Sequence, residues 1–162
     1  MRQTALAPLG PARLATAQGA HRPARLEFVV EGIPVSANND RRAARKWKER
    51  VGVAALARLG AWAYRDHGEL SALMVLFHTG PYACDTDNIP KHVLDALTGL
   101  AFDDDDRVAQ VVVRRTRQVP GFELMDPPPL VAERLGAASH FLYVRIEDGP
   151  DHSAMPEGIQ TA

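Results

Sequence analysis

Residues 84–108 read CDTDNIPKHVLDALTGLAFDDDDRV and hold seven aspartates, one lysine and no glutamate. The middle of this stretch has the marks of a helix. Asp87 stands at an N-cap position, Pro90 falls in the first turn, where a missing N–H costs nothing, and Gly99 supplies a stop. Between them Ile89, Val93, Leu94 and Leu97 make an apolar side, while Asn88, Lys91 and Asp95, three and four residues apart, share a polar face. The spacing predicts a helix over 88–97 with acids on both flanks: Asp85 and Asp87 before it, and the run 103–106 in a turn after it.

Working outward, SALMVLFH before the acids and VAQVVVRRTRQV after them have the β-branched and apolar content of strands. Upstream, LEFVVEG reads as a first strand ending in the turn GIPVSANND, and a second helix follows over about 42–59. Its residues Ala44, Trp47, Val51, Ala55 and Leu59 recur at helical spacing, and Arg41, Arg42, Arg45, Lys46, Lys48 and Arg50 fill the other sides. Downstream, PGFELMDPPPLVAERLGAAS is an irregular excursion whose prolines exclude a central strand, and HFLYVRIE is the last strand. The sum is an α+β fold: a two-layer domain with a mixed sheet of about four strands and two main helices packed on it. That domain spans 25–148. Residues 1–24, rich in Ala, Pro and Gly and free of acids, read as a disordered basic arm, and 149–162 as a disordered tail.

The length of 162 residues suits one domain. A net charge of −1 conceals an asymmetry, because residues 1–60 carry 11 Lys/Arg against 4 Asp/Glu and residues 61–162 carry 8 against 16. A basic first part beside an acidic middle fits a polyanion surface next to a cation site, and equally two solvated faces, which are the commoner case. Cys84 is the only cysteine, so an intrachain disulfide and a Cys/His zinc site are both excluded, and any metal is bound by oxygen. No apolar run is long enough to cross a bilayer, and a cytoplasmic location with no membrane partner is expected.

Four readings compete for the aspartates. They are turn and cap residues on a solvated loop, a calcium loop, a Mg²⁺ site for phosphoryl chemistry, or an acidic patch that docks a basic partner. Capping needs only one acid, and four consecutive carboxylates repel one another unless a cation relieves them. An EF-hand counted from Asp85 wants Gly and Glu where Pro90 and Ala96 stand. A docking patch leaves Asn88 and Lys91 without a task. Mg²⁺, held by a few carboxylates with water and phosphate completing its shell, accounts for Asp85, Asp87 and one acid of the 103–106 turn, with Lys91 facing the phosphate. Under this reading the helix and the turn after it return the third acid to the first two. His78 and Cys84 receive no role, His92 is expected to face solvent or a neighbouring loop, and Trp47 and Trp62 are read as packing residues.

The string DTDNIPKHVLDALTGLAFDDDDRV resembles the signature of the RusA-like endodeoxyribonucleases, which are Mg²⁺-dependent Holliday junction resolvases: DxDN, a lysine, DAL, an aromatic, then an acid pair before Val. The resemblance covers about residues 26–118 and is strongest over 85–108. It implies that Asp85, Asp87 and Asp105 are the catalytic metal ligands, with Asp104 and Asp106 the neighbouring alternatives for the third. It further implies that Lys91 is the catalytic lysine and that Asn88, Asp95 and Asp104 support the site. Arg107 stands where the family usually has Gln, and Asp103 and Asp106 are extra acids.

The same resemblance implies in-line phosphodiester hydrolysis with Mg²⁺, for which Mn²⁺ is a possible substitute, and a homodimer whose two sites match the near two-fold symmetry of branched DNA. Phosphate contacts are expected from Arg41, Arg42, Arg45, Lys46 and Lys48, and from Arg114 and Arg115 on the strand after the acids. The alternative is a non-catalytic metal- or DNA-binding module that uses the acids and the basic helix for docking.

Overall fold

The computed structural model describes residues 26–35, 40–60, 62, 68–81, 86–137 and 140–149. The expected arm 1–24 and the tail beyond Gly149 lie outside the described residues, as do Cys84 and Asp85. The elements in order are β1 (Leu26–Glu31), α1 (Arg41–Leu59), β2 (Leu70–His78), α2 (Asn88–Leu97), β3 (Val108–Arg117), α3 (Pro129–Ala132) and β4 (Phe141–Asp148). The four strands form one mixed sheet in the order β1-β4-β2-β3. β4 runs antiparallel to both β1 and β2, and β2 runs parallel to β3 with Leu70 opposite Val108 and His78 opposite Arg117. The predicted two-layer α+β domain is therefore what forms.

Period-two alternation sorts the strand residues between two faces. Phe28, Met74 and Val144 lie in register on one face, where α1 covers them with Trp47, Val51 and Ala55 and α2 with Ile89, Val93 and Leu97, all buried. Both tryptophans pack in this core, as their sequence context predicts. The Trp62 indole N–H also donates to the Ala101 carbonyl at 2.7 Å, tying the chain after α1 to the turn after α2.

The opposite face carries a smaller apolar cluster. Phe77 and Phe141 stack with ring centroids 4.6 Å apart, and Val131 of α3, Phe122 and Leu135 close over them and Tyr143. The excursion 119–137 is thus a cover for this face, and it contains a short helix that the proline-rich sequence did not announce.

The segment β2–α2–β3 positions the acids. Two adjacent parallel strands require a crossover, and here that crossover is α2. Gly99 follows it at φ +77°, a left-handed conformation that ends the helix, and its N–H donates to the Phe102 carbonyl at 2.7 Å. Among the described residues no helix is long and apolar enough to cross a membrane.

Candidate active site

Asp87 occupies the N-cap position of α2, yet its side chain caps nothing. Its backbone is already helical, at φ −70° and ψ −23°, whereas a capping residue is usually extended so that its oxygen folds back over the first N–H groups. The exposed carboxylate is left facing solvent at the positive end of the helix. Lys91 follows one turn later on the same side and is also exposed, and Asn88 lies beside them, half-buried. These three groups meet at the start of α2, close to where β2 ends.

The far end of α2 holds a second group. Asp95, expected to face Lys91, instead binds Lys48 of α1 at 2.5 Å. A lysine placed four residues before an acid is the weaker orientation for a helical pair, and Lys48 reaches across from the helix packed alongside. In the acid turn, Asp103 is held below the usual carboxylate range by hydrogen bonds from the Arg107 guanidinium, whose contacts lie at 2.9 and 3.0 Å. Asp104 caps the short 3-10 turn over Asp105–Arg107 by accepting from the Asp106 N–H at 3.3 Å. Asp105 is displaced the other way. A hydrogen bond with the Asp104 carboxyl, then lost hydration, then the charges of Asp104 and Asp95 raise it above the usual range.

The two groups lie at opposite ends of α2. Ten helical residues rise about 15 Å. The turn 103–106 leads into Val108 beside the first residue of β2, whereas Asp87 follows the last. Among the described residues no three His, Cys, Asp or Glu side chains gather as a metal-holding group. The expectation that the turn would return a third acid to Asp87 is not met within one chain, because a parallel crossover carries the backbone to the other end of the sheet. Asp85 lies outside the described residues.

The basic residues divide similarly. Arg41, Arg42, Arg45 and Lys46 are exposed on α1; Arg45 contacts Glu49 at 3.7 Å, while Lys48 is committed to Asp95. Arg50 packs over the Trp47 ring and donates to the Glu31 carbonyl, so it is anchored to the sheet. Arg114 and Arg115 point to opposite faces. Arg115 is in register with Leu76 on the helix side, and Arg114 with Val75 on the other. Arg117 shares the side of Arg115 and lines an open cleft with it and with His78, Gly80 and Pro81. The arginines of this cleft are among those expected to contact phosphate, and their alternation on a strand was the sequence signal that they share a face.

His92 departs from expectation, since it is buried at 4 % exposure. Among the described residues neither ring nitrogen has a hydrogen-bond partner. Burial first, and then Lys48, lower its pKa; Asp95 opposes them, Lys91 adds to them, and the nearby Val35 backbone favours the charged form without reaching hydrogen-bond geometry. His92 is three residues after Ile89 and four before Ala96, on the flank of the apolar stripe, and that was the sequence signal for its burial.

An α+β domain with a carboxylate-flanked crossover helix beside a basic helix has the parts that metal-dependent cleavage of a polyanion needs. The chain belongs to the RusA endodeoxyribonuclease family: the family model described as Endodeoxyribonuclease RusA matches residues 33–125, more than half of the sequence. The matched span contains α1, β2, α2, the acid turn and β3, and β1 and β4 complete the sheet outside it. No curated protein is significantly similar to the chain. Nucleases of this family generally depend on a divalent metal.

Proposed function

We propose that this protein is a Mg²⁺-dependent endodeoxyribonuclease that resolves branched DNA, four-way junctions above all, in recombination and repair, and that it works in the cytoplasm as a homodimer. Asp85, Asp87 and Asp105 are the metal ligands, Lys91 faces the phosphate under attack, and Asn88, Asp95 and Asp104 support them. When bound, the divalent ion activates water and neutralises charge at phosphorus. Mn²⁺ is expected to substitute.

The observation that carries this reading is the uncapping Asp87. A carboxylate at a helix N-terminus that makes no cap bond, one turn from an exposed lysine, has no structural task, and it matches the DxDN and lysine elements of the family. Lys91 and the N–H groups of the first turn of α2, which have no partner within the helix, offer donors to a phosphoryl oxygen as negative charge develops there. The acids repel DNA, so affinity rests on Arg41, Arg42, Arg45 and Lys46 of α1, and on Arg114 and Arg115, which contact phosphates without reading sequence.

The test is a labelled four-way junction incubated with wild type, Asp87→Asn and Lys91→Ala, with and without Mg²⁺. Wild type is expected to cut only with the metal, and both variants to bind the junction and leave it whole. A wild type that binds and never cuts is instead a non-catalytic module, and equal cutting by Asp87→Asn removes the proposed site.

A further inference from the structure

Lys48 is the cation of α1 that is tied to α2, and a buried histidine stands beside the tie. We propose that Lys48 is a reserve phosphate contact, withheld by Asp95 and released when His92 takes up a proton and binds Asp95 in its place. This inference rests on one part of the proposed function, the reading of α1 as a DNA-binding surface.

Arg41, Arg45 and Lys48 are four and three residues apart on α1 and share one side of it. Arg41 and Arg45 are exposed, whereas Lys48 is turned onto Asp95 of α2 at 2.5 Å. The pair is not deep, since its side chains keep 37 % and 33 % exposure. An ion pair this open to water contributes little to stability, so a competitor for either partner can part it.

The competitor for Asp95 is His92. It stands three residues before Asp95 on α2, a neighbouring position on the helix surface. Its ring is buried, and among the described residues neither nitrogen has a partner. Lys48 and Lys91 oppose a charge on the ring, while Asp95 and the backbone of Val35, in the segment between β1 and α1, favour one. A neutral ring leaves Asp95 to Lys48. An imidazolium has a donor on each nitrogen and draws Asp95 toward itself. Asp95 then stands between two cations that are not equal competitors. The ring is held in the core by a short side chain, whereas Lys48 has a flexible four-carbon stem and is more than one-third exposed. Lys48 is the one that leaves, and it joins Arg41 and Arg45 on their side of α1.

The exchange is reciprocal. A phosphate that draws Lys48 away leaves Asp95 to His92 and favours the charged ring, so DNA binding takes up a proton. In the free protein the ring titrates below its ordinary 6.5, first because of burial and then because of Lys48; in the complex it titrates higher. Affinity therefore rises as pH falls from the bound value toward the free one, by at most about tenfold per pH unit for one proton.

The test is binding of a fluorescent four-way junction to wild type, His92→Leu and Lys48→Ala, read by anisotropy over a salt series at pH 7.5 and 5.5, without metal so that binding is separated from cutting. At pH 7.5 wild type and His92→Leu are expected to share one slope of log affinity against log salt. At pH 5.5 wild type is expected to be steeper than His92→Leu by about one, the signature of one added phosphate contact, and to have gained up to about tenfold more affinity per pH unit. Lys48→Ala is expected to show neither gain. Equal changes in wild type and His92→Leu overturn the inference, and so does a steepening that persists in Lys48→Ala, because the ring then acts without the lysine. Nuclear magnetic resonance of the free proteins checks the coupling without DNA. The His92 ring signal, identified by its absence from His92→Leu, is expected to titrate at higher pH in Lys48→Ala than in wild type, and an unmoved titration overturns the exchange while the proposed function stands. Failure of all three proteins to bind the junction at either pH overturns the proposed function and this inference with it.

Discussion

Replacing His92 by leucine is expected to stabilise the fold, and increasingly so as pH falls. The ring, on α2 and near Lys48 of α1, is buried with no partner for either nitrogen among the described residues. A buried polar group left unpaired costs about 1–3 kcal/mol, and a hydrophobic replacement of similar volume costs less than about 1.5 kcal/mol in repacking, so a net gain of about 1 kcal/mol is expected at pH 8. The pH dependence follows from the lowered pKa, caused first by burial and then by Lys48. Below its ordinary value of 6.5 the unfolded chain's histidine takes up a proton while the folded chain's stays neutral. Wild-type stability from this group is therefore present above 6.5 and is lost as pH falls toward the folded value, at a slope of at most about 1.4 kcal/mol per pH unit. His92→Leu lacks that loss, and the carboxylates common to both proteins cancel in the difference. Urea unfolding of both proteins at pH 8, 6.5 and 5.5 measures it. A gap that stays constant or narrows as pH falls, or a leucine variant less stable at pH 8, refutes the burial of a neutral ring.

Two further outcomes are expected. Trp62→Phe removes the indole donor and strands the buried Ala101 carbonyl, so it is expected to cost about 2–3 kcal/mol in urea unfolding and to raise amide exchange across the turn 99–104; a loss under about 0.5 kcal/mol means the bond does not anchor the turn. Arg42 and Lys46 are four residues apart and exposed on α1, and if both contact phosphates, substituting both with alanine lowers the steepness of log affinity against log salt by about two for junction binding measured by fluorescence anisotropy. An unchanged slope makes this surface a solvated face.

The parts of the fold that depend on neighbouring residues were legible in the sequence. α2 runs over the predicted 88–97 because a proline in its first turn and a glycine two residues after its last mark both ends, and the strands were visible in their β-branched and apolar content. The order β1-β4-β2-β3 was not legible, since it is decided by pairings such as Phe28 with Val144 across more than a hundred residues. For the same reason the partner of Asp95 was missed: Lys48 is 47 residues away, and no spacing rule links them. The candidate ligands were visible as a motif, but their places were not. Nearness along the sequence suggested a single cluster, and the parallel pairing of β2 and β3 sends the two halves of that motif to opposite ends of the sheet.

The six aspartates of this stretch that lie among the described residues can now be separated by what each side chain binds. Asp95 is spent on Lys48, joining α2 to α1; Asp103 is spent on Arg107; and Asp104 caps the turn that follows. The Asp103–Arg107 pair joins two departures from the family pattern, the extra acid and the arginine in the place of glutamine, and each answers the other: an arginine beside four acids needs no other counterion, and an added acid beside an arginine adds no net charge. What is left among the described residues is Asp87, whose carboxylate makes no cap, Asp105, raised by the acids around it, and Asp106, which gives the turn only its N–H. A carboxylate that is exposed and crowded by like charge is costly to leave ionised without a cation, whereas one that caps or pairs is already satisfied. Structural satisfaction thus accounts for Asp95 and Asp104, which the resemblance puts in supporting roles, and for the extra acid Asp103, and it leaves Asp87, Asp105 and Asp106 as the described acids open to a cation.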